Sequence, residues 1–243
     1  MTVKSDRWIA TQCLLPTHAL GRNNDLAIKG ITHTAEVGGS GGGREHAVER
    51  DPTHWKEMVD KGWRPMIEPF AHGAVRTKGD VKIISYGLSS YGYDARLASE
   101  LKLFTNVNSA IVDPRNMDER CMVTAELRTD EDGLEYALLP PNAFMLGHTV
   151  EYFRIPRDVV VVCMGKSTWA RAGVNITVTP LEPEWAGQVV LEIANLTSLP
   201  VKEYVNQGIC QFMFHQSDDE CRGSYKDRGG KYQNQTGITH AKV

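Results

Sequence analysis

The residues of this chain best suited to chemistry arrive together. The β-branched run "DVVVVCM" (158–164) stops at Gly165, and Lys166, Ser167, Thr168 and Arg171 follow in "GKSTWAR". Two cations and two hydroxyls on a tight turn after a strand make a good anion cradle. Backbone N–H groups and hydroxyls bind phosphate oxygens while the cations neutralise charge. The glycine spacing of a P-loop is missing. A plainer reading is a turn that opens a helix, with the serine or threonine as its cap. Spacing alone leaves both open.

A second group lies in "QVVLEIANL" (188–196). On a strand, Val190 and Glu192 share one face, and Val189, Leu191 and Ile193 share the other. If the first face is solvated, Glu192 is simply its wet position. If that face lines a closed pocket, desolvation raises the carboxyl pKa and suits it to general acid/base work, while a nearby arginine pulls it back down. The polar C-terminal stretch "SYKDRGGKYQNQTGITHAKV" (224–243) also has two readings. It is a disordered tail, or a tail that folds over a ligand, with Lys231 meeting phosphate and Tyr225 and Gln235 adding polar contacts.

Metal chemistry finds little support. The eight histidines are scattered, and neither HExxH nor an EF-hand loop is present. The HxE and PCxxC signatures of zinc nucleobase deaminases are missing too, so chemistry on a base is expected to proceed without protein-held zinc.

These groups need a scaffold, and the sequence offers a β-rich one. From Lys82 onward, "VKIISYG", "LKLFTNV", "CMVTAEL", "FMLGHTVEYF", "VVVVCM", "VNITVTP", "QVVLEIANL" and "GICQFMFHQ" read as short strands. Gly, Pro, Asn and Asp turns separate them at the spacing of a sandwich or barrel. "ARAG" suggests one helical turn, and residues 5–15 a short helix that begins at Ser5 or Asp6. Residues 16–63 differ in character. They contain the Gly-rich "GGSGGGREH" (38–46) and the helix-like "DPTHWKEMVDKGW" (51–63), with Asp51 as cap and Pro52 at the first position. This region is expected to be an insertion or arm, folded or disordered, on a single β domain spanning 1–243.

The 243 residues suffice for one sizeable core, and the net charge of −3 advertises neither nucleic acid nor an anionic membrane as partner. The apolar runs are too short to span a bilayer, and "MTVKSDRWIATQC" has no signal-peptide core, which points to the cytoplasm. Five cysteines without CxxC spacing argue against both a disulfide framework and a zinc knuckle. Cys163 and Cys210 read as buried free thiols.

Taken together, "GKSTWARAGVNITVTPLEPEWAGQVVLEIANLTSLP" and "KYQNQTGIT" resemble the dCTP deaminase family of the dUTPase-like superfamily. "IEPFAHGAVR" with "KIISYGLSSYGYDARLASELKLFTNVNSAIVDPRN" resembles the N-terminal half of the same family. The resemblance implies a mainly β subunit, a distorted β-barrel or jelly roll with few short helices. It implies a homotrimer with active sites between subunits, closed by a tail at about 222–243. The reaction implied is hydrolytic deamination of dCTP to dUTP and ammonia, which supplies dUTP for thymidylate synthesis. Mg²⁺ would come in on the triphosphate, and dTTP would act as an inhibitor.

Residue by residue, the resemblance puts the essential glutamate at Glu192 and the catalytic serine and arginine at Ser167 and Arg171. Lys166 and Thr168 join these two in the triphosphate motif. Main chain at Thr179 and Pro180 reads the base, and Glu182 holds the sugar 3′-hydroxyl. Tyr225, Lys231 and Gln235 match tail residues that close over the nucleotide. Three alternatives compete with the deaminase: a bifunctional enzyme that carries dCTP to dUMP and pyrophosphate, a dUTPase, and a catalytically silent nucleotide-binding regulator. The arm at 16–63 has no counterpart in the shorter members and motivates the last of these.

Overall fold

The computed structural model describes residues 1–13, 60, 62–107 and 110–242. The expected arm at 16–63, with its Gly-rich stretch and the helix expected at 51–63, lies outside the described residues apart from Asp60, Gly62 and Trp63.

The strand β13 (Ala186–Asn195) shows how the sequence dictates the layers. Gly187, Val189, Leu191, Ile193 and Asn195 are buried, and the intervening residues are partly exposed. One face therefore joins the core, and the other carries Gln188, Val190 and Glu192. On one side β13 pairs with β10 (Phe144–Arg154), the longest strand. On the other it pairs with β12 (Val174–Thr177). The sheet continues from β10 through β6 (Lys102–Phe104) to β7 (Met122–Thr124), and β2 (Ile67–Glu68) also joins β10.

A second six-stranded sheet runs β1 (Thr2–Val3), β15 (Gly208–Gln216), β5 (Gly92–Arg96), β4 (Val81–Ser89), β3 (Val75–Lys78), with β11 (Val159–Gly165) also paired to β15. A smaller sheet contains β14 (Val201–Tyr204), β9 (Glu135–Leu139) and β8 (Leu127–Thr129). Every strand pair is antiparallel, so short turns suffice to connect neighbours.

The two large sheets close on one core, giving a distorted barrel. Phe153 of β10 meets Phe212 of β15 with ring centroids 4.6 Å apart, and Tyr93, Met145, Leu191, Ile193 and Phe214 are buried around them. Each such side chain contributes roughly 1.5–3 kcal/mol on leaving water. Helix α1 (Asp6–Cys13) falls within the span expected from sequence and buries Ile9, Ala10 and Cys13. All five cysteines are free thiols: Cys13, Cys121 and Cys210 are buried, and Cys163 and Cys221 are partly exposed. Among the described residues no helix is long and apolar enough to cross a membrane.

Candidate active site

The cluster after β11 forms a five-residue helix, α2 (Ser167–Arg171). Lys166 occupies the cap position and makes no side-chain cap bond. Ser167 and Thr168 are therefore inside the helix, and the plain reading of a hydroxyl cap is not what folds. Three contacts moor this turn to the barrel. Trp169 Nε1 donates to the Gly208 carbonyl at 2.9 Å, Lys166 N donates to the Ile209 carbonyl at 3.3 Å, and the Lys166 ammonium pairs with the Asp94 carboxylate on β5. Gly208 is required here, because a Cβ would lie 1.9 Å from the Ser85 carbonyl oxygen. With Lys166 and Trp169 turned inward, Ser167, Thr168 and Arg171 are left exposed. Among the described residues these three have no side-chain hydrogen bond or ion pair.

Glu192 stands at the centre of a row. Lys102, Leu146, Glu192 and Thr177 are successive partners across β6, β10, β13 and β12, so their side chains share a face. Burial pushes the Glu192 carboxyl up to about 7. Its own backbone N–H is the one opposing influence, and no cation contributes. The arginine that could draw this pKa down does not do so within one chain. No hydrogen bond or ion pair among the described residues joins Glu192 to Ser167 or Arg171.

The C-terminal tail is ordered and crosses the Glu192 face, so the disordered reading is set aside. Gln188 N donates to the Gln235 carbonyl at 2.9 Å, and Gln235 Nε2 donates to the Gln188 carbonyl at 2.8 Å. Asn234 N bonds the Ala186 carbonyl at 2.7 Å, and Gly237 N bonds Gln188 Oε1 at 2.8 Å. Farther on, the Lys102 ammonium donates to His240 Nε2 at 3.1 Å. The tail thus adds to the edge of β13 like a short strand and then passes over β6.

The root of the tail packs on the loop that precedes β13. Tyr225 N donates to the Pro183 carbonyl at 3.0 Å, Tyr225 Oη accepts from Tyr232 N at 3.0 Å, and Glu182 pairs with Arg228. Lys231 Nζ donates to the Lys242 carbonyl at 2.5 Å. Thr179 and Pro180 are exposed in the same loop, next to Leu181, which bridges to Val161.

The residues singled out from sequence therefore fall into two groups. Thr179, Pro180, Glu182, Glu192, Tyr225, Lys231 and Gln235 belong to β13, its leading loop and the tail. Lys166, Ser167, Thr168 and Arg171 belong to α2. No described hydrogen bond or ion pair connects the groups. Sequence reading missed Asp94, the partner of Lys166, and Gln188, the tail's anchor. It also missed Arg157, which lies between β10 and β11 and bonds Glu184 and Asp227. Asp94 had one signal, a charge in strand alternation between Tyr93 and Ala95, both fully buried. Arg157 had none, since its partners are distant in sequence. Among the described residues no three His, Cys, Asp or Glu side chains are grouped to hold a metal ion.

Comparison with known proteins gives a consistent answer. A family model described as dCTP deaminase-like matches residues 52–217. The dCTP deaminase of Pseudomonas fluorescens (strain SBW25) is 56% identical over 174 residues, covering 72% of this chain and 89% of that protein. The dCTP deaminase of Azotobacter vinelandii (strain DJ) is 57% identical over 178 residues, covering 73% and 91%. Among solved structures, the 2′-deoxycytidine 5′-triphosphate deaminase of Agrobacterium tumefaciens aligns with a TM-score of 0.44 at 14% identity, covering 68% of this chain and 46% of that one.

Proposed function

Because this chain belongs to the dCTP deaminase-like family, we propose that it hydrolyses dCTP to dUTP and ammonia, with Glu192 as general base and acid. The observation that carries this reading is the setting of Glu192. It is a carboxyl that burial raises to about 7, on the strand whose Gln188 anchors the tail. A group near neutrality both accepts and returns a proton at working pH. Glu192 takes a proton from the water that attacks C4 of the cytosine, then passes a proton to the ring nitrogen or to the departing amine. Water and dCTP give dUTP and ammonia, with no redox change.

The second group of residues supplies charge. Arg171 and Ser167 stabilise the tetrahedral intermediate and hold the water or leaving group. Thr168 and Lys166 serve the triphosphate, with Mg²⁺ arriving on the nucleotide itself. In this reading a neighbouring copy brings its Arg171 to Glu192. The exposed state of Ser167, Thr168 and Arg171 supports a homotrimer with sites between subunits. Main chain at Thr179 and Pro180 reads the base, and Glu182, beside Arg228, accepts from the sugar 3′-hydroxyl. Tyr225, Lys231 and Gln235 close over the nucleotide, and dTTP competes for the same pocket. The enzyme works in the cytoplasm.

The test is product analysis with dCTP and Mg²⁺, following ammonia, dUTP, dUMP and pyrophosphate in one reaction. Ammonia with dUTP and no pyrophosphate is expected. Pyrophosphate with dUMP would replace this reading by the bifunctional one, and dCTP binding without ammonia by the silent binder.

A further inference from the structure

One side chain gathers several of the contacts at the root of the tail. Arg157, in the turn between β10 and β11, extends its guanidinium between two segments that are far apart in sequence. Nη1 donates to Glu184 Oε2 at 2.5 Å, in the loop before β13. Nη2 donates to Asp227 Oδ2 at 2.8 Å and to the Arg222 carbonyl at 3.4 Å, both in the tail root. Nε stands 3.7 Å from the Glu220 carboxylate. Cys221 Sγ in turn donates to the Arg157 carbonyl at 3.6 Å.

Three carboxylates therefore converge on one cation. Remove the cation, and Glu184 and Asp227 face each other uncompensated across the joint between loop and tail. Asp227 is also part of a local turn. Its carboxylate accepts from Ser224 N at 3.1 Å, and its own N–H donates to Ser224 Oγ at 3.1 Å. Tyr225, the next residue in that turn, is fixed by its bond to Pro183 and by Gly230, where a Cβ would lie 2.0 Å from the Tyr225 ring. The chain of contacts runs from Arg157 through Asp227 and Ser224 to Tyr225, and from Tyr225 to Tyr232 and the Gln235 ladder.

We propose that Arg157 is a positioning residue for the reaction: its guanidinium pins the tail root to the loop that carries Thr179, Pro180 and Glu182, and so delivers Tyr225, Lys231 and Gln235 to the nucleotide. A planar fork of N–H donors suits this task, because it holds carboxylates on two segments at once in a fixed geometry, which the freely rotating ammonium of a lysine does less well. This inference rests on the deaminase reading for its kinetic consequence, but not for its structural one.

The experiment compares wild type, Arg157→Gln, Arg157→Lys and Asp227→Asn by backbone hydrogen exchange of residues 222–242 without nucleotide, and by KM and kcat for dCTP. Arg157→Gln is expected to speed tail exchange and to raise KM about tenfold with a smaller change in kcat. Arg157→Lys is expected to fall between, and Asp227→Asn to loosen the tail without disturbing the barrel. Tail exchange and KM unchanged in both Arg157→Gln and Asp227→Asn would overturn the proposal. A kcat loss with KM and tail exchange unchanged would overturn it as well, since that pattern is not one of positioning. Should the wild type fail to turn over dCTP, the functional reading fails, while nucleotide-free exchange still decides the role of Arg157.

Discussion

Asp94 and Lys166 form an ion pair where β5 meets the head of α2, with both side chains largely buried at 14% and 13% exposure. Sequence alone suggests Lys166 as a phosphate contact; within the described chain it is a strut. Its pairing keeps the lysine against the barrel while Ser167, Thr168 and Arg171 face out. Removing one partner of such a pair strands a charge in a mostly dry site. Asp94→Asn is therefore expected to lower stability by about 2–3 kcal/mol, less than for a fully buried pair. Thermal unfolding measures this, and an unchanged melting temperature would contradict the strut.

The reading that neighbouring copies complete each site can be tested by mixing. Glu192→Gln and Arg171→Ala should each be inactive alone. If neighbouring copies complete each site, co-refolded mixtures recover activity, because some sites in mixed trimers draw both residues from intact copies. Random assembly of equal amounts predicts roughly a quarter of wild-type activity. A mixture as inactive as its components would place the whole site in one subunit.

The titration of Glu192 has two consequences. As a base it works only when ionised, so kcat/KM should fall on the acid side of the carboxyl's pKa, which burial raises and the neighbouring copy's Arg171 draws back down. Its folded pKa lies above the unfolded value near 4.5, so the native chain binds more protons between those values. Stability therefore declines as pH rises through that window. Glu192→Gln removes the penalty and should stabilise the protein at pH 8 by about 1–2 kcal/mol after solvent screening, with little effect at pH 4. Melting temperatures of both proteins across pH check the sign.

Glu203 offers a second buried carboxyl as a comparison. It pairs with Ala137 across β14 and β9, is fully buried, and among the described residues neither carboxyl oxygen has a hydrogen-bond partner. Burial alone pushes it up to about 8. Stability should again fall as pH rises from about 4.5 to 8. Glu203→Leu fills the space with apolar atoms and should stabilise the protein more at pH 8.5 than at pH 5, by about 2 kcal/mol at the higher pH, seen as a larger rise in melting temperature there. An equal shift at both values would mean that the carboxyl is not neutral in the fold.

The uneven legibility of this chain follows from the range of its interactions. Strand alternation in 188–196 fixed the two faces of β13, because burial of Val189, Leu191 and Ile193 is a local pattern. The eight strand-like runs all contain strands, but the small sheet of β8, β9 and β14 was not foreseen. Its strands are short, and Glu203 interrupts the apolar row of Val201 and Val205. Spacing leaves the place of the tail open, since its ladder to Gln188 joins segments far apart in the chain. The Asp94–Lys166 pair and the Arg157 hub were invisible for the same reason. Glu192 itself can be singled out, but its burial depends on the strands paired with β13, which no spacing within 188–196 encodes.

The most direct test of the account is to measure ammonia release from dCTP and dCTP binding on the same preparation of Glu192→Gln. Release is expected to fall by at least about 10³ while the dissociation constant changes by less than about tenfold, because the amide fills the same space but cannot accept the proton. Release within tenfold of the wild type would contradict it and remove Glu192 from the chemistry.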